Sequence, residues 1–134
     1  MTDFNAASFL DTLGLRATRP RLAIAHILFA DGQNRHVTAE WLAEKVGQQG
    51  EPVALATIYN TLHSLVDAGV LRIVRGTGND NIVFDTYTRP HHHFLDERTG
   101  ELTDIPDSHL TLGNLPTAPD GRTIAGYDII IRLS

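Results

Sequence analysis

The chain has 134 residues, of which 42% are hydrophobic and 20% are charged, and it contains no cysteine. This composition excludes a largely disordered chain, a disulfide framework and any site that needs a thiolate. The net charge of −5 comes from residues 76–134, which carry four basic and nine acidic side chains, whereas residues 1–75 carry seven of each. The charge therefore opposes non-specific nucleic-acid binding by the whole chain but allows a local basic patch in the first half.

The first half of the chain has the periodicity of α-helices. It predicts four helices, at residues 5–13, 18–31, 38–46 and 55–68. Thr18 and Thr38 are suitable amino-terminal caps, because a threonine hydroxyl can accept a hydrogen bond from a backbone N–H of the first helical turn. In the third helix we expect Trp41 and Leu42 to face the core.

The periodicity changes after the fourth helix. Residues 71–75 and 81–85 are strand-like and flank a glycine-rich turn at 76–80, which predicts a β-hairpin. Further elements are expected along the rest of the chain, namely strands at 91–95, 102–105 and 123–133 and one helical turn within 107–113. Helices followed by a hairpin are typical of a winged helix-turn-helix.

The predicted fold class is therefore α+β. We expect an amino-terminal winged helix-turn-helix in residues 1–85 and a small α/β dimerisation domain in residues 86–134. Short strands leave open sheet edges, and pairing with a second copy of the chain covers them, so a homodimer is expected. Residues 1–5 lack the features of a signal peptide, and no apolar run reaches the roughly 20 residues that span a bilayer. The expected location is the cytoplasm, with no membrane partner.

The helix at 55–68 is the expected DNA-reading element, because the second helix of a helix-turn-helix enters the major groove. Asn60 has the amide that pairs with adenine, Tyr59 can contact a phosphate or a thymine methyl group, and Thr57 can bond a phosphate. The basic candidates for backbone or minor-groove contacts are Arg16, Arg19, Arg21, Arg72 and Arg75. Each feature alone also fits a solvated helix surface or a protein-interaction module, but the order of the elements favours DNA.

Three consecutive histidines begin a predicted strand. Alternate side chains of a strand share a face, so His91 and His93 point one way and His92 points the other. Asp85 and Asp104 lie on neighbouring strands, and His36 precedes the third helix. The candidate metal ligands are thus His36, Asp85, His91, His93 and Asp104. Imidazole and carboxylate donors suit Fe(II), Mn(II) or Zn(II), although the histidines could also be incidental surface residues.

Haem is a second candidate ligand for the histidines. Its candidate ligands are His91, His92, His93 and His63. His63 could also contact DNA or lie passively on the surface. His26 and His109 are interpreted as surface or packing residues.

Several segments resemble the ferric uptake regulator family. They are residues 14–21, 36–40, 55–62 and 68–71, with Ala-Thr-Ile-Tyr at 56–59 and a His-x-His sequence following. The resemblance implies a homodimeric transcription regulator on palindromic double-stranded DNA, with Arg16 in the minor groove and Tyr59 on the bases. It also implies that the five candidate metal ligands form the regulatory metal site.

Within that family, the chain resembles the iron response regulator branch. The resemblance lies in the absence of cysteine, in His-His-His-Phe at 91–94 and in the sequence of residues 128–133. It implies a response to haem and control of iron and haem metabolism. The chain departs from other members where Asp96 and Thr99 replace a zinc-binding Cys-x-x-Cys, so no cysteine-bound structural zinc is expected. It also lacks the Cys-Pro haem motif, and Ala54 replaces a capping serine.

Two alternatives stay open at this point. A regulator that responds to manganese, zinc or peroxide would use an overlapping ligand set. A small metallohydrolase with histidine and aspartate ligands would also fit, but catalysis needs an open coordination position that five protein ligands would close. A regulator without enzymatic activity is therefore preferred.

Overall fold

The structure, a computed structural model, describes residues 3–75 and 82–134. The described residues divide into two compact units. The amino-terminal unit comprises residues 3–74 and 82–88, and the carboxyl-terminal unit comprises residue 75 and residues 89–134.

The amino-terminal unit contains the four expected helices. They are α1 (Ala6–Thr12), α2 (Arg19–Phe29), α3 (Ala39–Gln48) and α4 (Leu55–Asp67). Both predicted caps are confirmed, since the Thr18 hydroxyl accepts from the Arg21 N–H and the Thr38 hydroxyl accepts from the Trp41 N–H. The prediction that Trp41 faces the core is wrong, because Trp41 is 37% exposed while Leu42 is fully buried.

A small antiparallel sheet completes this unit. Its strands are β1 (His36–Val37), β2 (Arg72–Val74) and β3 (Val83–Asp85), in the order β1-β3-β2. The pairing of β2 with β3 confirms the strands of the hairpin, whereas its predicted turn at 76–80 and Asn81 lie outside the described residues. The strand β1 was not predicted, and it sets His36 directly opposite Asp85.

The core of the amino-terminal unit lies between the helices and this sheet. Apolar side chains from every helix and from β3 are fully buried there, including Leu10, Ile24, Leu28, Leu42, Ile58, Leu62, Leu65 and Phe84. Burial of such side chains supplies about 1.5–3 kcal/mol each. The polar side of α4 is thereby directed outward.

The helix α4 begins without a side-chain cap, because Ala54 occupies the cap position. Its backbone is already extended there, with φ −61° and ψ 143°, which suits a capping residue. We expect Ala54→Ser to stabilise the protein by about 1 kcal/mol, since the new hydroxyl can accept from a backbone N–H of the first turn, as the Thr18 and Thr38 hydroxyls do. Urea denaturation followed by circular dichroism measures this. Ala56→Ser, inside the same turn, is the control and should give no gain.

The carboxyl-terminal unit is built on a second sheet. Its strands are β4 (His92–Asp96), β5 (Leu102–Ile105) and β6 (Ile130–Leu133), in the order β5-β4-β6. β5 pairs antiparallel with β4, and β6 pairs parallel with it. The strand predicted at 123–133 is thus limited to the four residues that reach β4. The described helical segments of this unit are two 3-10 turns, Asp107–His109 and Pro119–Gly121. Across the part of the chain that the structure describes, none of the helices is long and apolar enough to cross a membrane.

Candidate functional site

The carboxyl-terminal unit brings His91, His93 and Asp104 together. Nε2 of His91 lies 3.3 Å and Nε2 of His93 lies 3.2 Å from Oδ1 of Asp104. The strand register explains this contact, because His93 on β4 is directly opposite Asp104 on β5. Both histidine side chains are only 1% exposed, whereas the Asp104 side chain is 35% exposed. Two imidazoles thus meet one carboxylate oxygen, and the exposed part of the cluster belongs to Asp104.

The tautomer of His91 follows from its second contact. Its Nδ1 lies 2.6 Å from the backbone carbonyl oxygen of Arg89, and a carbonyl oxygen can only accept a hydrogen bond. Nδ1 is therefore the donor in this contact, and Nε2 is the nitrogen that faces Asp104. Metal-bound histidines are commonly oriented in this way by a hydrogen bond at the other nitrogen.

His92 has a different environment, which the alternation of a strand predicts. Its Nδ1 accepts a hydrogen bond from the Ile129 N–H at 3.1 Å. Its ring stacks on Tyr127, with centroids 5.4 Å apart. His92 therefore ties β4 to the segment before β6 and is set apart from the His91–His93 pair.

The amino-terminal unit contributes a second pair of donors. Nε2 of His36 lies 3.1 Å from Oδ2 of Asp85, across the β1–β3 register. Asp85 is fully buried, and its other oxygen accepts from the Tyr87 N–H at 2.9 Å. A buried carboxylate is costly unless its charge is balanced by hydrogen bonds, an ion pair or a metal.

Each donor set is compact enough for a metal ion. Within the pair and within the triad, the candidate ligand atoms lie within 4.8 Å of one another. The triad offers two imidazole nitrogens and a carboxylate, and the pair offers one of each. These nitrogen and oxygen donors fit Mn(II), Fe(II) or Zn(II), and they do not suit a metal that needs thiolates.

Four of the predicted DNA-binding residues share one depression at the surface of the amino-terminal unit. It is lined by Arg16, Arg21, Thr57 and Asn60, together with Thr18, Pro20 and Thr61. The Arg21 guanidinium donates to the backbone carbonyl of Arg16 at 3.1 Å, so Arg21 fixes the segment that carries Arg16. Polar and basic groups from α2 and α4 thus converge where a phosphate backbone could lie.

The other predicted arginines lie elsewhere. Arg19 is 3.3 Å from Glu51, and its side chain is 85% exposed, so this pair contributes little to stability. Arg72 lies on β2, opposite Asp85 in the strand register. Arg75 is exposed and follows β2 directly.

Tyr59 faces α3. Its hydroxyl donates to Oε1 of Glu40 at 3.3 Å, and its ring is stacked on His63 with centroids 6.4 Å apart. Burial raises the pKa of the Tyr59 hydroxyl, and the charge of Glu40 and the hydrogen bond to it raise this pKa further. The phenol is therefore a neutral donor at physiological pH.

This contact predicts a measurable titration shift. Because the pKa of Tyr59 is above its ordinary value of 10.0 in the folded state, its contribution to stability is present below pH 10 and is lost as the pH rises through the folded-state pKa. Glu40→Gln removes the neighbouring charge and should lower the Tyr59 pKa. NMR titration of protein with ¹³C-labelled tyrosine measures this shift. Glu44→Gln, one turn further along α3, should leave the pKa unchanged.

Comparison with known proteins shows which family the chain belongs to. The family model described as ferric uptake regulator family matches residues 12–117. This chain belongs to the ferric uptake regulator family. Ferric uptake regulators are metal-responsive transcription regulators, so family membership favours a regulator over the metallohydrolase alternative.

Curated members of the family give the same result. The ferric uptake regulation protein of Shigella flexneri is 34% identical over 110 residues, covering 82% of this chain and 72% of the relative. The protein of the same name from Vibrio anguillarum is 35% identical over 108 residues, covering 80% and 70%. These relatives are ferric uptake regulators and give no support to the narrower resemblance to iron response regulators.

Solved structures of the family share the fold. The Vibrio cholerae ferric uptake regulator is 25% identical with a TM-score of 0.69, and the match covers 96% of this chain and 98% of that one. The Pseudomonas aeruginosa ferric uptake regulator, solved with manganese, is 23% identical with a TM-score of 0.70 and 97% coverage of both chains. The predicted α+β fold class, with a winged helix-turn-helix at the amino-terminal end, is thereby confirmed.

Proposed function

We propose that this ferric uptake regulator acts as a homodimer that binds a palindromic operator in double-stranded DNA in response to a divalent metal. The observation that carries this proposal is the buried contact of His91 and His93 with Asp104, in which Nδ1 of His91 meets a backbone carbonyl and Nε2 faces the carboxylate. As a regulator of transcription it acts in the cytoplasm, on the chromosome.

The proposed metal site combines the two donor sets. Its ligands are His36, Asp85, His91, His93 and Asp104, as the family resemblance implies. A bound Mn(II), Fe(II) or Zn(II) supplies the positive charge that balances the two carboxylates. His36 and Asp85 come from the sheet of the winged-helix unit, so binding by all five ligands favours one arrangement of the units and shifts the population toward it. This linkage gives the metal control over DNA binding.

The proposed DNA surface uses the amino-terminal unit, which we assign as the DNA-binding domain; the carboxyl-terminal unit is proposed as the dimerisation and sensing domain. On this surface α4 contributes Tyr59 and Asn60 to base contacts and Thr57 to a phosphate. Arg16 and Arg21 border the same depression. Arg19 and Arg72 of this unit, and Arg75 directly after β2, are proposed to contact the DNA backbone from the start of α2 and from the wing.

We favour a divalent metal over haem as the ligand. Access to His91 and His93 is small, since their side chains are 1% exposed. His92 is engaged with Ile129 and Tyr127, and His63 is stacked on Tyr59. A porphyrin is much larger than an ion and would have to displace these contacts. The response to haem implied by the resemblance to iron response regulators therefore remains a prediction.

Fluorescence anisotropy tests the proposed function. The probe is a duplex selected by the protein from genomic fragments, titrated with metal-free protein, then with Mn(II) and then with haem. We expect Mn(II) to strengthen binding and haem to have no effect. Release by haem alone would favour an iron response regulator instead. Loss of binding on peroxide treatment only when Fe(II) is bound would favour a peroxide sensor.

A further inference from the structure

The contact between Tyr59 and Glu40 joins the reading helix to the helix before it. Tyr59 is half-buried on α4, and Glu40 is exposed in the first turn of α3. The phenol hydroxyl donates to the Glu40 carboxylate at 3.3 Å. His63, which also lies on α4, stacks on the Tyr59 ring and helps to hold the Tyr59 side chain in place.

This contact commits the polar end of Tyr59, whereas the half-buried ring keeps an exposed part. A phosphate that takes the hydroxyl has to displace the carboxylate, and its own negative charge is repelled by Glu40. A base that packs on the ring, such as thymine through its methyl group, needs no such displacement. Glu40 therefore weakens a contact of Tyr59 with a phosphate but does not weaken a contact with a base.

We propose that Glu40 determines specificity by holding the Tyr59 hydroxyl away from phosphates, so that Tyr59 serves base recognition and contributes little to non-specific DNA binding. This inference rests on the proposed function, in which α4 reads DNA. Glu40 acts through Tyr59 and is a positioning residue. The raised pKa of the Tyr59 hydroxyl agrees with the nearness of the Glu40 carboxylate.

Removing the charge of Glu40 should affect the affinity for non-specific DNA more than the affinity for the operator. Glu40→Gln keeps an acceptor for the hydroxyl but removes the repulsion, so affinity for a scrambled duplex should rise roughly three- to tenfold. Affinity for the selected operator duplex should change by less than about twofold, because the base contact leaves the hydroxyl where it is. The preference for the operator then falls.

The experiment measures both affinities by fluorescence anisotropy, with Mn(II) present and at two salt concentrations. Glu44→Gln, on the same helix and with the same change of charge, is the control for a general electrostatic effect. Tyr59→Phe removes the hydroxyl, so adding Glu40→Gln to it should have no more effect than Glu44→Gln. This double-mutant cycle isolates the contribution of the contact.

The outcomes separate this inference from the proposed function. A wild-type protein with no preference for the selected duplex overturns both. A wild-type preference with equal effects of Glu40→Gln and Glu44→Gln overturns the role of Glu40 alone. A fall in specificity for Glu40→Gln that persists in the Tyr59→Phe background also overturns it, because Glu40 would then act without Tyr59. Only a fall in specificity that requires the Tyr59 hydroxyl supports the proposed role of Glu40.

Discussion

Tyr59→Ala is expected to remove most of the operator preference. The substitution deletes the ring that we assign to base contacts, and losing the recognition of one base pair typically costs about 1–3 kcal/mol. The ratio of operator to scrambled affinity should therefore fall roughly 10- to 100-fold. Fluorescence anisotropy at a fixed salt concentration measures both affinities, since non-specific binding depends strongly on salt.

The fold should survive this substitution. Tyr59 is only half-buried, and its fully buried neighbours Ile58 and Leu62 are unchanged. Circular dichroism and sedimentation should show the wild-type helix content and oligomeric state. Tyr59→Phe is the matched variant, because it keeps the ring and should keep most of the preference. A Tyr59→Ala protein that selects the operator as well as the wild type would refute the assignment of α4 as the reading helix.

His93→Ala should reduce the affinity for Mn(II) by at least about 100-fold. Loss of a residue that only orients a ligand typically costs 10–100-fold, and His93 is proposed as a ligand itself. Its ring is buried beside the His91 ring and the Asp104 carboxylate, so no nearby side chain can easily replace it. Isothermal titration calorimetry measures the affinity.

Folding has to be separated from metal binding in this test. His93 fills space in the carboxyl-terminal unit, so its loss also leaves a cavity. Asp104→Asn preserves the shape and removes the charge, and it should weaken Mn(II) binding without a cavity. His92→Ala and the exposed His109→Ala are controls that should bind Mn(II) normally. Wild-type affinity in both His93→Ala and Asp104→Asn would exclude the proposed site.

Local patterns in the sequence were enough to predict most of the amino-terminal unit. The helices have clear periodicity, and the threonine caps act within a single turn. The two faces of the histidine cluster follow from strand alternation alone. The prediction for Trp41 is wrong because consecutive residues on a helix point about 100° apart. Of Trp41 and Leu42, only Leu42 reaches the core.

The missed features depend on residues far apart in the sequence. β1 has only two residues, which is too short for a strand pattern, and β3 defines it by pairing. The length of β6 is likewise set by the residues of β4 that it meets. Glu40 lies in the first turn of α3, where an acidic side chain is favoured by the helix dipole alone. Its contact with Tyr59 joins two helices, and neither local sequence indicates it.

The connectivity of the second sheet has a consequence for the order of folding. β4 and β5 are consecutive strands joined by a tight turn, in which the Asp96 carboxylate accepts from the Arg98 and Thr99 N–H groups. β6 joins the sheet only after a long intervening segment, and such distant pairing is slow to form. The contacts of His91 and His93 with Asp104 need only the hairpin. His91, His93 and Asp104 can thus come together before the sheet is complete.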